Sequence, residues 1–111
     1  MNKKNEYLIS VDEFETRCKA LARILKKNKN IKNIYGVMCS GMFIAIRLSY
    51  LTKLPITVFP KSNETAIIDD ILDTGNTRHS FDNFGYFFPL VDKQAEGIIN
   101  WVKFWYEQNE R

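Results

Sequence analysis

Three carboxylates, Asp69, Asp70 and Asp73, stand within a few residues of one another, and Thr74-Gly75-Asn76-Thr77 follows at once. Ionised carboxylates accept hydrogen bonds and donate none. Side by side, Asp69 and Asp70 suit a vicinal diol, such as the 2- and 3-hydroxyls of a ribose, or a hydrated metal ion. The polar turn after them offers backbone N–H groups and hydroxyls at a helix start, which is a site for an anion such as phosphate. A diol site with a phosphate site a few residues on describes a ribose 5-phosphate. The carboxylates follow an apolar, β-branched run, Ala66-Ile67-Ile68, that reads as a buried strand of a parallel sheet. Ligands of such sheets sit at the carboxyl ends of the strands, so Asp69 and Asp70 are expected at the rim. The plainer reading is a core strand and an Asp-rich turn. Adjacent carboxylates at a strand end are costly to keep without a use, which argues against it.

From Ile67 to Thr77 the stretch resembles, without a gap, the phosphoribosyl-pyrophosphate (PRPP) motif of type I phosphoribosyltransferases: hydrophobic residues, two acidic residues, two apolar residues, then Asp-Thr-Gly-x-Thr. The resemblance implies a small three-layer α/β domain, with a parallel sheet, helices on both faces and a minimal C-terminal hood. It implies that PRPP, held with Mg²⁺, loses pyrophosphate as a base nitrogen attacks the anomeric carbon. Asp69 and Asp70 would hold the ribose hydroxyls and the metal. Asp73 aligns with the family's general acid/base, and Asp73, Thr74, Gly75, Asn76 and Thr77 complete the ribose-phosphate site.

Two further stretches carry the likeness. Ile34 to Met38 reads as a strand, Cys39-Ser40-Gly41 as a small-residue turn and 42–51 as a helix, the geometry of an anion loop. In the family this turn binds pyrophosphate and reads Arg- or Lys-Gly-Gly. Here Cys39 stands at the basic position and Ser40 at the first Gly; Gly41 is kept. Near the C-terminus, Trp101, Val102, Phe104 and Glu107 match in register the Trp-Ile/Val-Val-Phe-Pro-Trp-Glu ending of xanthine-guanine-type phosphoribosyltransferases, with Trp105 and Tyr106 where Pro and Trp are usual. That likeness points to a purine site: Trp101 stacked on the base, Val102 at its edge and Lys93 at its exocyclic oxygen. An aromatic segment covering the core is the plainer reading, although a rigid ring does offer a flat face to a base.

These residues need elements to position them. Ser10 and Glu13 have capping-box spacing. Phe14, Cys18, Leu21, Ala22 and Leu25 then recur at helical intervals, which predicts a helix to Lys27. Ile56 to Phe59 is expected to be a second strand, followed by a short turn where family members carry a lid loop. A helix is expected from Thr77 through Phe81 to Phe84, ended by Gly85, and then a strand over 86–91 with Pro89 favouring an edge. Residues 1–6 are polar and expected to fray. His79 reads as a surface residue.

Length and composition bound the rest. The 111 residues suit a single domain, 1–111, with 45% hydrophobic residues and fifteen aromatics for a dense core. The net charge of +3 is too small to argue for nucleic acid, and Lys26, Lys27, Lys29 and Lys32 read as a solvated helix end. Cys18 and Cys39 lack metal-ligand spacing and fit a reducing compartment. No leader pattern is seen and no apolar run approaches the ~20 residues of a membrane span, so a cytoplasmic protein without a membrane partner is expected. So many aromatics on so short a chain also suggest self-association, and a homodimer is expected. Two functions follow: a purine-salvage phosphoribosyltransferase, or a non-catalytic relative that binds PRPP or a nucleotide as a regulator or sequestering protein.

Overall fold

In the computed structural model, which describes residues 6–107, the elements alternate strand and helix. They are β1 (Glu6–Ile9), α1 (Val11–Lys27), β2 (Asn33–Gly36), α2 (Ser40–Thr52), β3 (Thr65–Leu72), α3 (Asn76–Ser80), β4 (Phe87–Asp92), α4 (Lys93–Glu96) and β5 (Trp101–Phe104). The central sheet is parallel, in the order β2-β3-β4, and a two-stranded parallel sheet joins β1 to β5. The fold is α/β, with parallel sheets and helices on both sides.

The core follows from the patterning. β3 lies between two neighbours, and Thr65 to Asp69 are all buried. α1 buries the five residues its periodicity marks, Phe14, Cys18, Leu21, Ala22 and Leu25. Ile9, Ile34, Ile44, Leu48, Val91 and Phe104 join the cluster, each worth roughly 1.5–3 kcal/mol of apolar transfer. Ser10 Oγ accepts the Glu13 N–H at 3.1 Å, as the cap spacing requires. The Glu13 carboxylate is drawn instead to the Tyr7 hydroxyl and to Arg17. Arg17 also donates to Glu96 and to the Leu90 carbonyl, which ties α1 to β4 and α4. Cys18 and Cys39 are both free thiols, and burial pushes the Cys18 thiol up to about 12.

Several expectations are corrected. The strand over 56–59 is reduced to one bridge, Ile56 with Ile34. Thr57 Oγ1 accepts the Phe59 N–H and bends the chain, which leaves Val58 and Phe59 exposed. The helix after Thr77 stops at Ser80. Phe81 leaves it to pack on Tyr35, Phe84 and Phe87, so Gly85 caps nothing. The strand opening at Ile34 ends at Gly36, although the Val37 N–H still reaches the Ile68 carbonyl at 2.9 Å. α4 was not expected; Asp92 caps its start and Gly97, at φ +70°, its end. Glu6 opens β1, while the rest of the stretch expected to fray, 1–5, lies outside the described residues.

α2 approaches both β2 and β3 backbone to backbone. A Cβ on Gly41 would lie 2.5 Å from the Ile68 carbonyl oxygen, and one on Gly36 would lie 2.4 Å from the Met42 Cα. Both contacts are with backbone, which has little room to yield. Gly41→Ala is therefore expected to destabilise the fold by roughly 2 kcal/mol or more, read as a lower urea midpoint at unchanged slope.

Candidate functional site

β3 runs two residues beyond the carboxylate pair, so Asp69 and Asp70 belong to the strand rather than to its rim. Asp69 is 6% exposed and Asp70 half-buried. Opposite Asp69 across the β3–β4 ladder stands Pro89, which has no N–H to give. The Asp69 Oδ1 instead accepts the Asp70 N–H at 2.9 Å, and the Asp70 Oδ1 accepts the Ile71 N–H at 2.7 Å. Burial, then a hydrogen bond to the Asp70 side chain, pushes the Asp69 carboxyl up to about 7. Near neutral pH, Asp69 is therefore poised to hold or release a proton.

The polar turn follows directly. Asp73 and Thr74 are exposed, and Gly75 takes φ +89°, the left-handed region that favours glycine. A Cβ there would meet nothing within 4 Å, so the backbone angle alone accounts for the residue. α3 then starts at Asn76 without a side-chain cap; Thr74 Oγ1 takes only the Asn76 N–H, at 3.3 Å. The turn keeps the amides and hydroxyls of Thr74, Gly75, Asn76 and Thr77 together at the end of β3, beside the carboxylates.

Cys39, Ser40 and Gly41 open α2 against the same strand. The Met38–Cys39 peptide is cis. Cys39 is exposed, and Gly41 lies against Ile68 and Asp69 through the contact its missing side chain permits. The Ser40 hydroxyl is hydrogen-bonded to the Tyr106 hydroxyl. Burial raises Tyr106 to about 12, which keeps it a neutral phenol. Ser40 and Tyr106 are thus two departures from the sequence pattern that meet each other in space. Tyr106 was no candidate from sequence; its only signal was standing, like Ser40, where the resembled pattern has another residue.

On the other side of Asp73, four of the sequence candidates converge. Asp73, Lys93, Trp101 and Val102 line one small cavity of about 130 Å³, with Ile71 as its further wall. That is well under the ~300 Å³ at which sites for drug-sized ligands begin; it suits one flat ring rather than a whole nucleotide. Lys93 Nζ lies 3.5 Å from Asp73 Oδ2, and its stem is largely covered. Val102 is buried, while Trp101 leaves 70% of its surface to solvent. α4, unexpected from sequence, is what starts at Lys93 and turns the chain back towards β5. His79, by contrast, sits exposed with Nδ1 3.0 Å from Asp82, apart from these residues, as its surface reading requires.

No family model and no curated protein sequence matches the chain. Solved structures do. The purine phosphoribosyltransferase of Pyrococcus horikoshii Ot3 superimposes with a TM-score of 0.70, covering 96% of this chain and 97% of that one at 18% identity. The xanthine-guanine-hypoxanthine phosphoribosyltransferase of Helicobacter pylori gives 0.64 over 91% of each chain at 13% identity. The chain has the phosphoribosyltransferase fold. Within that fold, β3 with its polar turn, the 39–41 loop and the Trp101 wall surround one rim of the sheet.

The raised Asp69 pKa makes stability depend on pH. Its ordinary value is 3.8 and its folded value about 7. The folded state therefore holds a proton that the unfolded chain has already lost. The stabilisation is complete below about pH 4 and is lost as pH rises through about 7. Asp69→Asn cannot ionise and keeps an oxygen for the Asp70 N–H. The substitution is expected to gain on the parent protein by roughly 1–3 kcal/mol between about pH 5 and pH 8, measured by denaturant unfolding. A constant difference across that range would show that Asp69 is not the buried proton acceptor.

Proposed function

We propose that the protein is a purine phosphoribosyltransferase, which transfers ribose 5-phosphate from PRPP to a purine and releases pyrophosphate. The cavity joining Asp73, Lys93, Trp101 and Val102 carries the reading. It puts an acceptor, a cation and a flat aromatic face within reach of one ring, next to a turn suited to phosphate. The solved structures of the same fold carry purine phosphoribosyltransferase names, which supports the same class.

In this reading Trp101 stacks on the purine and the Lys93 ammonium donates to its exocyclic oxygen. The amides and hydroxyls of Thr74 to Thr77 bind the 5-phosphate. The ribose hydroxyls donate to Asp69 and Asp70. A purine nitrogen forms a bond to the anomeric carbon as the bond to the pyrophosphate oxygen breaks, and pyrophosphate leaves with that electron pair. The proton on the imidazole nitrogen passes to an Asp73 oxygen. Positive charge developing on the sugar is met by the adjacent carboxylates.

Mg²⁺ fits as an ion carried by the substrate. Among the described residues no three metal-ligating side chains converge, but Mg²⁺ is commonly held by one or two carboxylates together with substrate phosphates. Asp69 and Asp70 offer that pair, and the ion would neutralise charge on the departing pyrophosphate. With its carboxyl raised to about 7, Asp69 would have to give up its proton to hold the ion.

A second reading has one observation behind it. Only residues 53–64 connect α2 to β3, too little chain for a lid, and a site that stays wet is better suited to holding PRPP or a nucleotide than to turning it over. Pyrophosphate release from Mg-PRPP, measured with guanine, xanthine, hypoxanthine and adenine in turn, separates the two. Turnover with a purine is expected, and Asp73→Asn should lower kcat by about 10²- to 10⁴-fold with the fold intact. Binding of PRPP by calorimetry with no release would establish the second reading instead.

A further inference from the structure

Lys93 opens α4, and α4 has only four residues. A single helical turn has no stability of its own in water. The bonds around α4 must therefore hold Lys93 against Asp73. Local caps supply part of this. Asp92 Oδ1 accepts the Ala95 N–H at 3.1 Å, and the Ile98 N–H donates to the Lys93 carbonyl at 2.9 Å. A second part comes from α1. Arg17 Nη2 donates to Glu96 Oε1 at 2.6 Å and Arg17 Nη1 to Glu96 Oε2 at 2.8 Å, a two-pronged contact. Nη1 also donates to the Leu90 carbonyl of β4 at 3.1 Å, and Nε to Glu13 at 3.0 Å. Glu96 Oε2 in turn accepts the Asp92 N–H at 3.3 Å. One guanidinium thus fastens the last residue of α4 to α1 and β4. Through the Glu96 carboxylate it also reaches the residue just before Lys93.

We propose that Arg17 is a positioning residue for Lys93, and that it thereby sets the preference for a base that carries an exocyclic oxygen. Arg17 and Glu96 stand outside the walls of the cavity that holds Asp73, Lys93, Trp101 and Val102. Arg17 therefore acts through α4 and not on the base. The second half of the proposal rests on reading Lys93 as the donor to that oxygen; the first half does not.

The geometry makes Lys93 sensitive to this fastening. Its side chain is 13% exposed, so the direction of the ammonium follows the backbone of α4 more than it would on an open surface. The 3.5 Å to Asp73 Oδ2 is already longer than a good hydrogen bond, and a small tilt of α4 would part the two. The fork is also set in advance. Glu13 lies one turn before Arg17 on α1 and holds the guanidinium from its other side. The Arg17 side chain is itself only 19% exposed. Four acceptor atoms meet this one planar group: Glu13 Oε2, the Leu90 carbonyl and both Glu96 oxygens. A lysine carries the same charge on a single nitrogen with three donors, and cannot span them.

Two variants test the halves separately: Arg17→Lys keeps the charge without the fork, and Glu96→Gln removes the carboxylate that the fork grips. Both are checked for native circular dichroism. The first readout is acetylation of the full chain by acetic anhydride, followed by mass spectrometry. Lys93 is expected to react several-fold faster in either variant than in the parent protein, while exposed Lys26 reacts at an unchanged rate. The double variant should add little to either single one, because both act through one contact. Unchanged Lys93 labelling in the folded variants would overturn the positioning role. The second readout is turnover of Mg-PRPP with guanine, xanthine or hypoxanthine. Arg17→Lys should raise KM for the purine roughly tenfold and leave kcat and KM for PRPP within about twofold. Faster labelling with an unchanged purine KM, or with kcat and both KM values altered alike, would overturn the role in base preference. A parent protein that turns over no purine would overturn the proposed function and that preference with it; the labelling would still decide what holds Lys93.

Discussion

The first turn of α2 rests on the backbone of β3, with no side chain between Gly41 and the Ile68–Asp69 peptide. Much of the site depends on that approach. It brings the 39–41 loop against the strand that carries the carboxylates, and it helps cover Asp69. Burial is the largest cause of Asp69's raised pKa. A helix held further out would leave Asp69 wetter and ordinarily acidic. One backbone contact thus sets both the reach of the loop and the proton affinity of its neighbour.

Burying a carboxylate in so small a domain has to be compensated locally. The compensation is a chain of short-range bonds: the Asp69 oxygen takes the Asp70 amide, and the Asp70 oxygen takes the Ile71 amide. Pro89 across the ladder withholds an N–H that would otherwise help satisfy the strand at this point. What remains is a buried carboxyl, Asp69, whose affinity for a proton is raised chiefly by its burial.

The C-terminal segment serves the core and the site together. Val102 and Phe104 are buried and pair β5 with β1, while Trp101 projects as the wall of the cavity that holds Asp73 and Lys93. Tyr106, two residues past β5, packs on Phe43 and Phe104 and holds Ser40. Alternation along a strand makes this possible: one face closes the core and the other meets solvent and the cavity. β5 therefore borders both regions.

Much of this was legible in the sequence, for local reasons. The PRPP-like motif, the parallel-sheet fold, the α1 stripe with its Ser10 cap, and the set Asp73, Lys93, Trp101 and Val102 could all be read from residue type, spacing and resemblance. Strong periodicity and turn chemistry act over a few residues, which is why they survive in a string of letters. The strand expected at 56–59 failed because a Thr57 side chain competed with the ladder for the Phe59 N–H. The helix beyond Ser80 failed because Phe81 packs on Tyr35 of β2 and Phe87 of β4 as well as on its neighbour Phe84. The position of Asp69 inside the strand, its raised proton affinity and the meeting of Ser40 with Tyr106 were decided by tertiary structure alone. Each depends on how close two segments distant in sequence come, and that distance is set by packing, which no local pattern records.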